Sequence, residues 1–127
     1  MAGTLTLSTL SDGTNSTSVT NAIQGSAKAW VNFTAGSTIQ AAYNVSSVTK
    51  NSNGYYTLNF TNALTDTNYV VITNSGSPNS NSYETSGVYT PSNNSYGTKT
   101  TSAVQVNYYT PGVANYDPFE TDVVIFR

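Results

Sequence analysis

Histidine and cysteine are both missing from this 127-residue chain, and charge is scarce. Charged residues make up 8% of it, against about 25% in an average soluble protein. Without imidazole or thiolate there is no ligand set for structural zinc, iron–sulfur clusters or haem. A Ser-His-Asp or Cys-His nucleophile is excluded on the same ground. No disulfide can form, so folding needs no oxidising compartment. Four Lys+Arg against six Asp+Glu give a net charge of -2 with no basic run, which argues against nucleic acid gripped through its phosphates. No apolar run approaches the length of a membrane helix, so membrane insertion is not expected. The first ten residues carry no basic residue and no long apolar stretch, unlike a secretory signal.

What is present is polar and uncharged. Ser (17), Thr (21) and Asn (16) fill 54 of the 127 positions, and the 10 Tyr outnumber every charged type. Such a composition can describe a solvated linker. Here, however, 37% of residues are hydrophobic and 12% aromatic, set in short alternating runs that can be buried. A folded domain with a polar surface is expected.

The alternation has period two, and good helix formers are scarce, so strands are predicted. Leu5, Leu7 and Leu10 mark a first strand. Ala27, Ala29, Val31 and Phe33 alternate with Lys28, Trp30, Asn32 and Thr34. The pattern returns at Tyr55–Phe60, Tyr69–Thr73 and Val104–Tyr109, while Val123–Phe126 is apolar on both faces and should be central or covered by an interface. Asn51-Ser52-Asn53-Gly54 is the strongest hairpin turn, since Asn and Gly tolerate positive φ. Ala63–Asn68 suits one helical turn or a polar corner. Turn-rich stretches run over 74–81, 90–98 and 110–118. This spacing predicts an all-β fold: a single antiparallel β-sandwich, jelly-roll-like, over residues 26–127. Residues 1–25 read as an N-terminal arm or attachment segment, lying along a neighbouring subunit or forming a loosely tethered first strand.

Large apolar residues are few for a chain of this length, and neither metal nor disulfide supplements them. A homo-oligomer is therefore expected, with Trp30, Phe33, Phe60, Val124 and Phe126 as candidate core or subunit packing. No cofactor is expected. Asp117, Glu120 and Asp122 lie close together in sequence. They suit calcium, an acid–base pair for glycoside hydrolysis, or a solvated rim that keeps the protein soluble. Six tyrosines crowd the C-terminal half among Asn and Ser. Of these, Tyr83, Tyr89, Tyr96 and Tyr116 are candidates for surface recognition of sugar or protein, with subunit contact as the plainer alternative. The five Asn-X-Ser/Thr matches, at Asn15, Asn32, Asn44, Asn59 and Asn93, are what 16 Asn in so Ser/Thr-rich a chain produce by chance. Lys28 and Trp30 share a strand face, as a cation–π pair or as a packed Trp under a snorkelling Lys.

Several blocks also resemble a known group. Gly25-Ser-Ala-Lys-Ala-Trp-Val-Asn-Phe33, Ala41-Ala-Tyr-Asn-Val-Ser-Ser-Val-Thr-Lys50, Tyr56-Thr-Leu-Asn-Phe60, Thr61-Asn-Ala-Leu-Thr-Asp-Thr-Asn-Tyr-Val70 and a Val-Val-Ile-Phe-Arg close at 123–127 are similar to segments of virion surface proteins and tail-fibre domains of tailed bacteriophages, marine and cyanobacterial ones especially. The lead-in Leu10–Ser18 is similar too, and 74–118 is the variable middle. The resemblance implies a β-rich, trimeric, non-enzymatic module on the virion surface, made in the host cytoplasm, with the variable part facing outward. Its partners would be further copies of itself and capsid or tail proteins. Met1 stands almost at the start of the module, with no shaft before it. The expected role is therefore a capsid decoration, knob or head-fibre protein. The alternative is a tail-fibre tip that recognises host surface glycan.

Overall fold

The computed structural model describes residues 3, 5–76, 85–88, 99–110 and 114–127, with backbone alone for 85–88, 110 and 114. The described chain is all-β with one short helix. Its elements in order are β1 (Thr9–Ser11), β2 (Ser16–Ser18), α1 (Val19–Gly25), β3 (Ala27–Thr34), β4 (Ile39–Tyr43) and β5 (Val45–Ser52). They continue with β6 (Tyr55–Phe60), β7 (Val70–Gly76), β8 (Thr85–Val88), β9 (Ala103–Thr110), β10 (Ala114–Asn115) and β11 (Glu120–Phe126).

Every ladder is antiparallel. One sheet runs β4-β3-β11-β7. The other runs β10-β9-β6-β5, with β8 also on β9, and β1-β2 form a separate ribbon. Period-two patterning explains the faces. In β6, Tyr56, Leu58 and Phe60 are buried while Tyr55, Thr57 and Asn59 are only half-buried, as alternating Cβ directions require. In β3, Ala29, Val31 and Phe33 are buried. Inner residues of both sheets join one buried cluster, in which the Phe33 and Tyr56 rings meet at 5.2 Å and those of Phe60 and Tyr69 at 6.0 Å. Strand β11 is central between β3 and β7, in keeping with its apolar residues on both faces.

Two local devices aim the chain. The expected hairpin forms, but β5 continues through Asn51 and Ser52, so its turn is the two residues Asn53-Gly54, with Gly54 at φ +74°. A Cβ there would stand 2.4 Å from the Tyr108 carbonyl oxygen and 2.9 Å from Tyr116 backbone atoms, so only glycine fits. Asn44, at φ +56°, is the single residue between β4 in one sheet and β5 in the other. Its amide nitrogen donates to the carbonyls of Lys28 and Asn62, both at 3.1 Å, and its Oδ1 accepts from the Asn62 amide at 2.8 Å. A short polar side chain both tolerates the left-handed backbone and ties three segments together.

The N-terminal segment differs from the expected strand. Leu5 and Leu7 are exposed and outside any strand, because their alternation finds no apolar face to cover. Residues 8–25 instead form the β1-β2 ribbon, closed by an Asx turn in which Asp12 Oδ1 accepts from the Thr14 and Asn15 amides, and then α1. Ser18 caps α1 by accepting from the Asn21 amide. No residue of α1 is buried. Residues 63–68 form bends rather than a helical turn. Leu64 is buried there and its amide donates to the Thr101 carbonyl, so tertiary packing decides the corner.

Candidate functional site

The two sheets present opposite chemistry on their outer faces. On the five-stranded sheet the outward side chains of β5, β6 and β9 are almost all polar. Ser47, Thr49, Thr57, Asn59, Gln105 and Asn107 stand there in register. They bond among themselves: Asn59 Nδ2 donates to Ser47 Oγ at 2.9 Å, and Thr57 Oγ1 accepts from Asn51 Nδ2 at 2.7 Å and Gln105 Nε2 at 3.3 Å. Beside them is a cleft of about 270 Å³ lined by Asn51, Ser52, Tyr55 and Gln105. Such a face is content in water.

The four-stranded sheet is different. Tyr43, Trp30, Val124 and Ile72 stand directly opposite one another across all four strands. Phe126 and Val70 form a second apolar pair one step along. Exposure reaches 57% at Tyr43, 54% at Ile72, 59% at Val70 and 38% at Trp30. Scattered exposed apolar residues are ordinary, whereas a contiguous row rimmed by polar groups marks a contact surface. The face is polarised as well. Beyond the row, Asn32 Nδ2 donates at 2.8 Å to both Glu120 Oε1 and Asp122 Oδ1. At the other end stands Lys28, whose Nζ donates to Ser26 Oγ at 2.9 Å and to the Ile23 carbonyl.

The acidic trio is therefore divided. Glu120 and Asp122 share the outer face of β11, two residues apart, as strand parity dictates. Asp117 turns the other way. Its Oδ1 accepts from the Gly54 amide at 3.0 Å and the Tyr56 hydroxyl at 2.9 Å, and its Oδ2 pairs with Lys50. Burial works against its charge, but the Gly54 amide, Lys50 and Tyr56 together outweigh it and hold its pKa below the usual carboxylate value. Asp117 is a structural tie that fastens the segment before β11 to the β5-β6 turn. Among the described residues, no group of three Asp or Glu comes together as a metal site.

The other expected residues fall as follows. Phe33 and Phe60 are in the core. Trp30 is not in this chain's core: β3 parity sends it outward, beside Val124, which like Phe126 is half-buried on the outer face of β11. Tyr116 is half-buried against the core, with its hydroxyl 3.1 Å from Ser75 Oγ. Tyr83, Tyr89 and Tyr96 lie outside the described residues. Sequence reasoning missed Tyr43, Val70, Ile72 and Tyr55. A signal existed for the middle pair, since Val70-Val71-Ile72 is apolar on both parities just as Val123–Phe126 is. Tyr55 was marked as outward by its alternation with buried Tyr56.

The described chain is thus all-β, with one sheet's outer face mostly polar and the other's crossed by an apolar row. The chain matches no family model, no curated protein and no solved structure.

Proposed function

We propose that this protein is a non-enzymatic structural protein of a bacteriophage virion, displayed on the particle surface as a capsid decoration, knob or head-fibre subunit. One observation carries its mode of action: the apolar row through Trp30 crosses one sheet completely, while the described outward side chains of β5, β6 and β9 in the other sheet are mostly polar. The apolar face docks and the polar face meets water. The blocks at 25–33, 41–50, 56–60 and 123–127 support the virion setting through their resemblance to phage surface proteins. Two sheets sharing one core support a β-sandwich, and the exposed row supports a homo-oligomer, since subunit contact would cover it. Capsid or tail proteins are the further partners.

A second reading is a tail-fibre tip that recognises host glycan. The uncharged cleft of Tyr55, Asn51, Ser52 and Gln105 favours it, because a flat ring beside amide groups suits a neutral sugar. The test is electron cryo-microscopy of purified particles together with mass spectrometry of their proteins. Density for this chain in many copies on the head supports decoration. A few copies at the tail shift the assignment to the fibre tip, and absence of the chain from washed particles overturns both.

A further inference from the structure

We propose that the outer face of the four-stranded sheet is the docking site for a second copy of this chain, placed antiparallel about a two-fold axis that passes beside Trp30. The proposal rests on the assembly part of the function proposed above and is independent of the virion setting.

The occupant follows from how charge is arranged around the apolar row. Along β3, Lys28, Trp30 and Asn32 share the outward face, and Asn32 carries the carboxylates of Glu120 and Asp122. Trp30 thus lies midway between a cationic end and an acidic end, with about 13 Å between them at the rise of a strand. A two-fold axis beside Trp30 exchanges the ends. Each Lys28 then faces the other copy's Glu120 and Asp122, and each Trp30 lies on the other copy's apolar row. That is the self-complementarity an isologous contact needs. Three copies packed around an axis parallel to the strands would instead set Lys28 against Lys28 and carboxylate against carboxylate. The charges therefore favour the two-fold pair over the trimer implied by the sequence resemblance.

These charges hold hydrogen bonds to neutral groups but no opposite charge within the described chain. Among the described residues the two ion pairs are Lys50–Asp117 and Arg127–Asp66, and neither uses Lys28, Glu120 or Asp122. The area is also of the right order. Four strands of about seven residues cover roughly 440 Å² in projection. A standard interface takes about 800 Å² of accessible surface per partner. The projected face is about half that figure, which fits a weak, reversible pair.

The chain's single Trp is at the centre of the contact and reports on it directly. Purified protein would be followed by sedimentation velocity and by Trp30 emission across the micromolar range. A two-copy species should grow with concentration as the emission moves to the blue and becomes less accessible to a soluble quencher. Lys28→Glu alone, and Glu120→Lys with Asp122→Lys, should each weaken the pair by about tenfold or more. An equimolar mixture of the two variants should restore it as a heterodimer, which also shows that both are folded. Thr49→Lys, on the polar face of the other sheet, should leave the pair unchanged. A monomer throughout, a three-copy species, a pair indifferent to both charge reversals, or a mixture that fails to recover would each overturn the proposal. The virion assignment would stand or fall separately, on the particle.

Discussion

Replacing Tyr108 with Phe should leave the protein as stable as before, or more stable, whereas the same change at Tyr56 should weaken it clearly. Both rings are fully buried and touch each other at 6.0 Å between centroids, so the substitutions remove the same atom from the same core. The hydroxyls differ in what they meet. Tyr56 Oη donates to Asp117 Oδ1 at 2.9 Å, with the Ala35 carbonyl at 3.1 Å. Tyr108 Oη and Thr121 Oγ1 neighbour one another, and neither makes a hydrogen bond of acceptable geometry. A hydrogen bond to a charged group contributes about 1.5–3 kcal/mol net, while a buried polar group left without a partner costs about 1–3 kcal/mol. Tyr56→Phe therefore loses about 2 kcal/mol, and Tyr108→Phe changes stability by about 0 to 1 kcal/mol in the favourable direction. At about 2.1 cal/mol/K of unfolding entropy per residue, 1 kcal/mol is about 4 °C in a chain of this length. The two variants should separate by roughly 8–12 °C in Tm. Thermal unfolding followed by circular dichroism at one protein concentration measures this. Equal losses from both variants would refute the reasoning, because Tyr108 would then have a partner worth as much as a carboxylate.

The Asp117 tie leads to two more expectations. Gly54→Ala drives a Cβ into backbone at a positive φ and should cost about 3 kcal/mol or more, read as a fall in the denaturant midpoint at unchanged slope. Because the folded pKa of Asp117 lies below its unfolded value of about 3.9, the stability it contributes is full above that pH. It is lost as pH falls through the lower folded value. Asp117→Asn should therefore be less stable near neutrality and lose less on acidification. Part of the acid sensitivity should persist in this variant, since hydrogen bonds from Asn15 and Thr14 at Asp12, and from Arg127 at Asp66, lower those carboxyls as well. A parallel shift of the whole profile would rule out this linkage.

The local alphabet of the fold was legible in the residues. Alternation placed β3, β6, β7 and β9, because in a half-buried strand the side-chain period is a property of the chain itself, and the unbroken apolar run at Val123–Phe126 placed β11. Asn51–Gly54 announced its turn for the same kind of reason, a backbone conformation that few residues accept. Strands β2, β4, β8 and β10 escaped notice. They are short or carry small residues, and it is their neighbours that order them. Helix α1 escaped as well: without a buried face it leaves no periodic stripe, and its one signal is the Ser18 cap.

The site divides along the same line. Composition alone left the molecule rings, amides, hydroxyls and a few charges to work with, for a chain without imidazole or thiolate cannot assemble zinc–thiolate or His-based nucleophile sites. Parity put Trp30 opposite the buried face of its own strand, and put Glu120 and Asp122 on one side together. Neither composition nor parity could say which strands lie beside β3 and β11. Only pairing in three dimensions lined up Tyr43, Trp30, Val124 and Ile72 as one row, and only the turn at Gly54 reached Asp117 across more than sixty residues and drew it away from its acidic neighbours. Side-chain direction is fixed locally by the backbone. Which side chains become neighbours depends on the closing of long loops, and that is decided by the burial of the whole core.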